Sequence, residues 1–320
     1  MAWSILSAVT NAVIESTLMS LPSRVQIIDV GPRDGLQNEK QPVPAEIKIE
    51  LVHRLQAAGL KEIEATSFVS PKWVPQMADN AIVMAGIQRQ PGVRYSVLTP
   101  NAQGFEAAVK SRPDEIVVFG AASEAFSHKN INCSIAESIE RFAPVVQAAL
   151  AAGIAVRGAM SCTVGCPYEG EVAPERVAYL AGLMKQIGVQ RVDVCDTIGT
   201  GTPLKVQRAL EATLQHFDVD RLCGHFHDTY GQALANTLAA LQMGVWNYQS
   251  SVAGLGGCPY AKGATGNVST EDVVYMLHGL GIETGIDLDK LVDAGIFISD
   301  FLGRKPNSRV ATALINKRLG

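Results

Sequence analysis

The sequence has no long apolar run, little net charge and few aromatic residues. None of its apolar runs reaches the length of about 20 residues that a membrane-spanning helix needs. The net charge of −4 gives no general attraction to nucleic acid or to anionic membranes. Apolar residues make up 47% of the 320 residues, which is enough for a large core. We therefore expect a soluble, cytoplasmic protein that has no nucleic-acid or membrane partner.

The six cysteines do not have the spacing of a disulfide framework or of a zinc-binding motif. Three residues separate Cys162 from Cys166, and no second pair follows them. Cys195 and Cys223 lie in apolar, strand-like runs, where a thiol behaves as a small apolar side chain. We expect neither disulfide bonds nor structural zinc.

The first eighteen residues lack the features of a targeting signal. No Lys or Arg precedes Arg24, so the basic segment of a secretory signal is absent, and Glu15 argues against an Arg-rich transit peptide. Met19 is a candidate for the biological start, a hypothesis that the N-terminal mass of the native protein would test. We assign residues 1–20 to an N-terminal extension that is poorly ordered or not native.

Short apolar runs alternate with longer segments of helical periodicity along the rest of the chain. Eight runs are predicted as strands, at 25–30, 62–67, 93–98, 115–120, 154–161, 191–196, 222–227 and 247–253. Helical periodicity occurs between them, at 44–58, 102–110, 135–151, 174–186, 203–216 and 231–243. Several of these helical segments are followed by a glycine, as is usual just past a helix C-terminus: Gly59, Gly153, Gly188 and Gly244.

A β-α unit repeated eight times predicts an α/β fold, a (β/α)8 TIM barrel with additional C-terminal helices. A doubly wound open sheet is the alternative. Its Gly-x-Gly-x-x-Gly turn is missing after the first strand, where the sequence GPRDG stands at residues 31–35. We assign residues 21–284 to the barrel and residues 285–320 to a C-terminal helical extension packed on it. The extension ends in a basic tail suited to an oligomer contact, and we expect a homodimer or a higher homo-oligomer.

Two histidines at the end of the seventh strand form a candidate metal site. His225 and His227 are two residues apart, so both side chains point to the same side of a strand. In a closed barrel the first and eighth strands are neighbours of this region, which brings Asp34 and Asn267 within reach. Two imidazoles, a carboxylate and an amide oxygen favour six-coordinate Mg²⁺ or Mn²⁺ over tetrahedral Zn²⁺.

Other polar residues at the strand ends are candidates for catalysis. Arg33 either orients the adjacent Asp34 or stabilises a developing oxyanion or enolate. Glu64 on the second strand and Asp196 at the end of the sixth either orient a neighbour or transfer a proton. Two further residues are candidate substrate contacts: Arg157 on the fifth strand and Thr197 after the sixth.

A glycine-rich stretch follows the eighth strand, at residues 253–272. Five glycines and one proline in these twenty residues allow the backbone to approach a ligand closely. A loop of this length inside a domain is usually functional. Cys258 lies within it and is either a packing thiol or a general acid or base in a loop that closes over the site.

Seven segments together resemble the 3-hydroxy-3-methylglutaryl-CoA lyase family, and the resemblance runs in order from Val25 to Ile298. The segments are DVGPRDGLQNEK at 29–40, EATSFVSPKWVPQM at 64–77, GAASE at 120–124, SCTVGCPYEG at 161–170, DTIGTGTP at 196–203, HFHDTYG at 225–231 and GGCPYAKGATGN at 256–267. The last of these matches the signature of that family.

The resemblance implies a TIM-barrel metallolyase that cleaves 3-hydroxy-3-methylglutaryl-CoA to acetyl-CoA and acetoacetate, in leucine degradation and ketone-body formation. It implies that Arg33 and Cys258 are catalytic and that Glu64 and Asp196 are supporting carboxylates. The implied metal ligands are the four residues already singled out, Asp34, His225, His227 and Asn267. The CoA phosphates require cations near the mouth of the barrel, for which Lys40 and Lys72 are candidates.

Three alternatives remain open at this point. The same site in a relative acts on longer 3-hydroxy-3-alkylglutaryl-CoA thioesters. A related metal-dependent aldolase or Claisen-type enzyme would act on a 2-oxo acid, against which the cysteine loop and the absence of a long regulatory domain argue. A barrel that only binds a CoA ester or a metal would not need Arg33 and Cys258 together with all four candidate ligands.

Overall fold

Eight short parallel strands form a closed barrel in the computed structural model, which describes residues 21–257 and 266–320. β1 pairs with β2 on one side and with β8 on the other, so the barrel has no open edge. The strands are β1 Gln26–Asp29, β2 Glu62–Ser67, β3 Arg94–Leu98, β4 Glu115–Ala121, β5 Ala155–Ser161, β6 Arg191–Asp196, β7 Leu222–Phe226 and β8 Asn247–Ser250. The predicted (β/α)8 fold is confirmed.

Helices follow the strands and pack their apolar faces on the outside of the barrel. They are α1 Ala45–Ala57, α2 Asn80–Gly86, α3 Ala102–Lys110, α4 Glu124–Ile131, α5 Ile135–Ala151, α6 Pro174–Ile187, α7 Pro203–Leu214, α8 Ala233–Gln242, α9 Thr270–Gly279, α10 Leu288–Phe301 and α11 Arg309–Leu319. Local sequence sets their ends. Ser134 and Glu137 form a reciprocal capping box at the start of α5, and Gly188 takes φ +100° just past the end of α6.

Two short turns flank the closure of the barrel, and the one after β8 differs from the prediction. The eighth strand ends at Ser250 rather than at residue 253, because Ala253 takes φ +56° in a short 3-10 turn, Val252–Gly254. The segment after β1 forms one π-helical turn, Gly31–Gly35.

Ion pairs fill much of the barrel interior. Glu64 on β2 contacts Arg157 on β5 at 3.2 Å, and Glu62 on β2 contacts Arg191 on β6 at 2.6 Å. These strands are not neighbours in the sheet, so the side chains must cross the interior of the barrel. Arg157 is fully buried and therefore keeps its charge by binding carboxylates on several strands.

The last two helices extend the barrel at its closing side. α10 packs against α1, where the Arg54 guanidinium lies 4.4 Å from the Phe297 ring centroid. Asp272 near the start of α9 accepts hydrogen bonds from Ser308 Oγ and Val310 N–H, which joins α9 to the start of α11. These helices agree with the predicted C-terminal extension. Its exact boundary at residue 285 stays a prediction. Residues 1–20 lie outside the described part of the chain, so their assignment also stays a prediction.

No helix among residues 21–257 and 266–320 is long and apolar enough to cross a membrane.

Candidate active site and metal centre

A cavity of about 610 Å³ opens at the C-terminal ends of the strands. This is the end of a (β/α)8 barrel at which active sites are built. Most of the polar groups come from the first, sixth, seventh and eighth strands or the turns after them, and most of the apolar groups come from the second, third and fourth strands or the segments after them. The lining includes Arg33, Thr197, His225 and Gln249 on the polar side, and Leu98 and Phe119 on the apolar side.

Asp34, His225 and His227 lie together at the polar side of this cavity. Each offers one ligand atom, and these three atoms are within 4.8 Å of one another. The centroids of the two imidazole rings are 5.3 Å apart. Residues two apart in an extended chain point to the same face, and His225 and His227 are two apart. The π-helical turn after β1 carries Asp34 to the same place.

Asn267 lies beside these three residues. Its Nδ2 donates to Asp34 Oδ2 at 2.8 Å, and residue 267 forms a backbone bridge with His227. Val268 N–H, one residue further on, donates to the Phe226 carbonyl at 3.2 Å. The chain after the glycine-rich loop is thus bound directly to the end of β7, and all four predicted ligands are in one place.

The chemistry of this group of side chains fits a divalent cation. Nδ1 of His227 is buried and has no hydrogen-bond partner among the described residues. Burial and the neighbouring His225 lower the pKa of His227 to about 4, so its imidazole is neutral at physiological pH. Burial raises the pKa of Asp34, but Arg33 and the two histidines hold it below its usual value. A neutral imidazole and an ionised carboxylate are the forms of these side chains that bind metals.

Arg33 is fixed next to this group by two carboxylates. Its Nε donates to Glu64 Oε1 at 2.5 Å and its Nη1 to Asp34 Oδ1 at 2.6 Å. Burial lowers the pKa of Arg33, and the two carboxylates more than reverse this, so the guanidinium stays charged. In the described part of the chain, Nη2 has no hydrogen-bond partner, and the residue lines the cavity.

Glu64 and Arg157 lie one layer deeper in the barrel. Glu64 is fully buried and joins Arg33 to Arg157, whose other partners are Glu115 Oε2 and Asp193 Oδ2, both at 2.9 Å. Ala159 and Ser161 line the cavity further along β5, whereas Arg157 is not among the described lining residues. The sequence interpretation put Arg157 against the substrate. In the structure the guanidinium is fully buried and bound to three carboxylates, which leaves it no contact with a substrate in the cavity.

Asp196 and Thr197 have separate positions at the end of β6. The Asp196 carboxylate accepts the N–H groups of Thr200 at 3.1 Å and Gly201 at 2.8 Å. Burial raises its pKa to about 6, against the effect of these N–H groups. Asp196 thereby shapes the loop after β6 and is not among the described residues that line the cavity, whereas Thr197 lines it and accepts a hydrogen bond from the Cys162 N–H.

Two further predicted residues, Lys40 and Lys72, are not brought into contact with the site. Lys40 and Lys72 are exposed, and neither is among the described residues that line the cavity, although Trp73 next to Lys72 does line it. Cys258 lies outside the described residues. The role predicted for each of the three stays a prediction.

Sequence reasoning missed Gln249, which is buried on β8 and contacts His225. It also missed Asp29, whose carboxylate accepts hydrogen bonds from Gly31 N–H, Val252 N–H and Thr270 Oγ1 at the base of the loops that bear Asp34 and Asn267. The available signal was a polar residue inside a buried strand. Such a residue needs a partner, and here each partner lies on a different strand or loop.

The chain is similar to known proteins over nearly its full length. Residues 24–298 match the family described as HMGL-like. The mitochondrial hydroxymethylglutaryl-CoA lyase of Bos taurus is 58% identical over 306 residues, which is 96% of this chain and 94% of the bovine protein. A Pseudomonas aeruginosa protein named 3-hydroxy-3-isohexenylglutaryl-CoA/hydroxy-methylglutaryl-CoA lyase is 57% identical over 299 residues, which is 93% of this chain and all of that protein (100%).

Solved structures agree with this similarity. The hydroxymethylglutaryl-CoA lyase of Pseudomonas aeruginosa superposes with a TM-score of 0.91 at 57% identity, covering 93% of this chain and 99% of that one. An HMG-CoA lyase in complex with coenzyme A and 3-methylmalate, described as from Acinetobacter baumannii, has a TM-score of 0.87 at 35% identity and covers 91% of this chain and 95% of that one.

Proposed function

This chain belongs to the HMGL-like family, and from that premise we propose that it is a metal-dependent carbon–carbon lyase that cleaves 3-hydroxy-3-methylglutaryl-CoA to acetyl-CoA and acetoacetate. Two relatives above 55% identity carry the name of this activity. The proposal rests on one structural observation. Asp34, His225 and His227 meet at the mouth of a closed barrel with Arg33 and Asn267 in contact with Asp34.

We propose Asp34, His225, His227 and Asn267 as the residues that hold the cation, and Mg²⁺ or Mn²⁺ as its identity. A mixed set of nitrogen and oxygen donors suits these ions and leaves positions for substrate oxygens. The bound cation would supply Lewis acidity, which favours loss of the proton from the C3 hydroxyl of the substrate.

Arg33 is the residue proposed to stabilise the charge that moves onto the thioester oxygen as the C2–C3 bond breaks. Its guanidinium is held by Glu64 and Asp34, so no reorganisation is needed when that charge develops. Glu64 would act by orienting Arg33, and Asp196 by shaping the loop that bears Thr197 at the cavity. The bonds that each carboxylate makes support these two roles.

Protonation of the acetyl-CoA carbon requires an acid at the site, and we propose the Cys258 thiol for this step. The CoA part of the substrate is supported by the Acinetobacter baumannii relative, whose structure contains coenzyme A. Lys40 and Lys72 are proposed to bind the CoA phosphates, since both are exposed and so have free charge to offer.

The test is release of acetoacetate from 3-hydroxy-3-methylglutaryl-CoA by metal-stripped protein, measured before and after addition of Mg²⁺ or Mn²⁺. We expect release only with added metal. If neither ion produced acetoacetate, the substrate assignment would be lost, and longer 3-hydroxyacyl thioesters would be the next to test.

Replacing Arg33 separates catalysis from simple binding of the ester. In the Arg33→Gln protein we expect kcat to fall by about 10²–10³-fold, because a charged donor to a developing oxyanion is lost. Arg94→Gln serves as a control, since Arg94 also pairs with barrel carboxylates but is 43% exposed and lies at the opposite end of the strands. Undiminished turnover of Arg33→Gln would favour a barrel that binds the ester without cleaving it.

The acyl chain of the substrate is a separate question. The Pseudomonas aeruginosa relative is named for both a methyl and an isohexenyl substrate. Apolar side chains line the cavity here as well: Leu98, Phe119, Phe126 and Ile131. We propose the methyl substrate as the preferred one, and the ratio of kcat/KM for the methyl and a longer-chain thioester measures this preference.

We also propose a role in leucine degradation, a cytoplasmic location and a homodimeric or larger assembly. The names of the relatives divide on location, since the bovine protein is mitochondrial and the Pseudomonas aeruginosa protein is bacterial. The mass of the protein in solution, from light scattering, tests the assembly.

A further inference from the structure

Gln249 is the cross-strand neighbour of His225. The two residues are opposite each other in the pairing of β7 with β8. Their side chains point into the barrel and are 4% and 8% exposed. Oε1 of Gln249 is in hydrogen-bond contact with Nδ1 of His225. This contact reaches the back of the ring, away from the nitrogen that is left to face a cation.

The identity of the Gln249 atom determines the tautomer of His225. An amide oxygen can only accept a hydrogen bond, so Nδ1 of His225 must carry the proton. In a neutral imidazole the other nitrogen, Nε2, then has a free lone pair, which is the form that binds a metal. If the amide were reversed, its NH₂ group would donate to Nδ1, and Nε2 would carry the proton and be unable to bind.

The charge behind Gln249 favours the first of these orientations. Asp193 lies behind Gln249, where burial raises the pKa of its carboxyl group and Arg157, His225 and the Gln249 side chain oppose that rise. A carboxylate can only accept hydrogen bonds, so it favours the NH₂ end of the amide on its side. Asp193 is itself fixed by Arg157 Nη1 at 2.9 Å. In the described part of the chain, neither Gln249 Nε2 nor Asp193 Oδ1 has a direct hydrogen-bond partner. An NH₂ group facing a carboxylate leaves only the carbonyl oxygen to face His225.

We propose that Gln249 is a positioning residue that holds His225 as the tautomer protonated at Nδ1, and so keeps Nε2 available to the divalent cation. This rests on the metal site of the proposed function, but the tautomer itself can be measured without metal or substrate. Hydrogen bonds of this kind to the second nitrogen of a ligand histidine commonly change metal affinity by 10–100-fold.

The first measurement is the tautomer of His225 in metal-free protein, from long-range ¹H–¹⁵N NMR of histidine-labelled enzyme. The His225 signals are assigned by their loss in a His225→Gln variant. We expect the pattern of a ring protonated at Nδ1. A ring protonated at Nε2 in the unsubstituted protein would overturn the proposal, whatever the lyase activity proves to be.

The second measurement compares Mn²⁺ affinity among three variants by calorimetry. Gln249→Met keeps the volume but removes the acceptor, and we expect 10–100-fold weaker binding with a mixture of tautomers. Gln249→Glu restores an acceptor for Nδ1, because the Glu oxygen nearer the Asp193 carboxylate takes up a proton in place of the NH₂ group. This variant is expected to restore both the tautomer and the affinity. Gln56→Met is the matched control, because Gln56 is a buried glutamine bonded to the Tyr95 hydroxyl on the outside of the barrel.

Unchanged affinity and an unchanged tautomer in Gln249→Met would contradict the proposal. Absence of acetoacetate release, with the expected tautomer and the expected order of Mn²⁺ affinities, would contradict the proposed substrate and leave the role of Gln249 intact. If Gln249→Met does not fold, the tautomer of the unsubstituted protein and the Gln249→Glu variant still decide the question.

Discussion

Asp29 and Glu271 are buried carboxyl groups that bind the backbone of the turn after β8, beneath the candidate site. The Glu271 carboxylate accepts the Ala253 N–H at 2.9 and 3.0 Å, and Asp29 binds the next N–H, that of Val252. Burial raises the pKa of Asp29 to about 7 and that of Glu271 to about 8. Each group thus binds a proton more tightly in the folded protein than in the unfolded chain.

This predicts that stability rises as the pH is lowered from about 8 towards 5. A carboxyl group with a raised pKa stabilises the fold most when protonated, and that contribution is lost as the pH rises from the unfolded value near 4.5 to about 8 for Glu271. Over this range one such group changes the free energy of unfolding by about 1.4 kcal/mol per pH unit. In Glu271→Gln we expect a smaller gain between pH 8 and pH 6, measured by urea unfolding.

Glu211→Gln is the matched control, since Glu211 is an exposed residue on α7. It should keep the pH dependence of the unsubstituted protein. Equal slopes for all three proteins would show that Glu271 does not bind the extra proton.

At the scale of elements, the two ends of the glycine-rich loop lie against each other. Gly256 takes φ +120° and Gly266 takes φ +80°. A Cβ on Gly266 would lie 2.5 Å from the Gly256 carbonyl carbon, which is closer than real Cβ atoms come. The Gly266 carbonyl also accepts the Asp228 N–H at 2.8 Å. The position of Asn267 therefore depends on the absence of a side chain at residue 266.

We expect Gly266→Ala to weaken Mn²⁺ binding and to destabilise the fold by about 1–3 kcal/mol, through backbone strain and the steric conflict together. Gly281→Ala is a control with the same kind of strain, because Gly281 takes φ +74° and no atom lies within 4 Å of its added Cβ. It should lose some stability and no metal affinity. Equal metal affinity in both variants would argue against this account.

Sequence periodicity predicted the elements well wherever local residues decide them. The strands Glu62–Ser67 and Arg191–Asp196 and the helices Ala102–Lys110 and Ile135–Ala151 have the predicted bounds. The prediction was wrong at the end of β8, because the turn after Ser250 is held by Asp29 and Glu271, which come from β1 and α9. Contacts between distant segments leave no periodic signal in a sequence.

The same distinction applies to the site. The spacing of His225 and His227 predicted two side chains on one face, and the order of the strands in a barrel predicted their approach to Asp34. The position of Arg157 on β5 gave no sign that its side chain is held below the cavity by three carboxylates from three other strands. Only the closed barrel brings these partners together.

For the molecule as a whole, the candidate ligands join the beginning and the end of the barrel. Asp34 follows β1, the histidines end β7, and Asn267 precedes α9. A cation bound to all of them links segments more than two hundred residues apart. It binds only the folded state, so it must stabilise that state.

We therefore expect Mn²⁺ to raise the melting temperature of metal-stripped protein. At a concentration of 100 times the dissociation constant the gain is about 2.7 kcal/mol, which corresponds to roughly 5 °C for a protein of this size. Differential scanning calorimetry with and without EDTA measures the shift. Asp34→Asn should lose most of it, and a shift that persists in that variant would place the cation elsewhere.

The ion pairs that cross the barrel have a consequence for anyone who redesigns this enzyme. Arg157 and Arg191 each form ion pairs with carboxylates on different strands, and both bind Glu115. A substitution at any of these positions leaves a charge without its counterpart, so changes there must be made in compensating sets. Leu98 and Phe119 line the cavity without taking part in these ion pairs, so single substitutions there can reshape the cavity and leave the ion pairs intact.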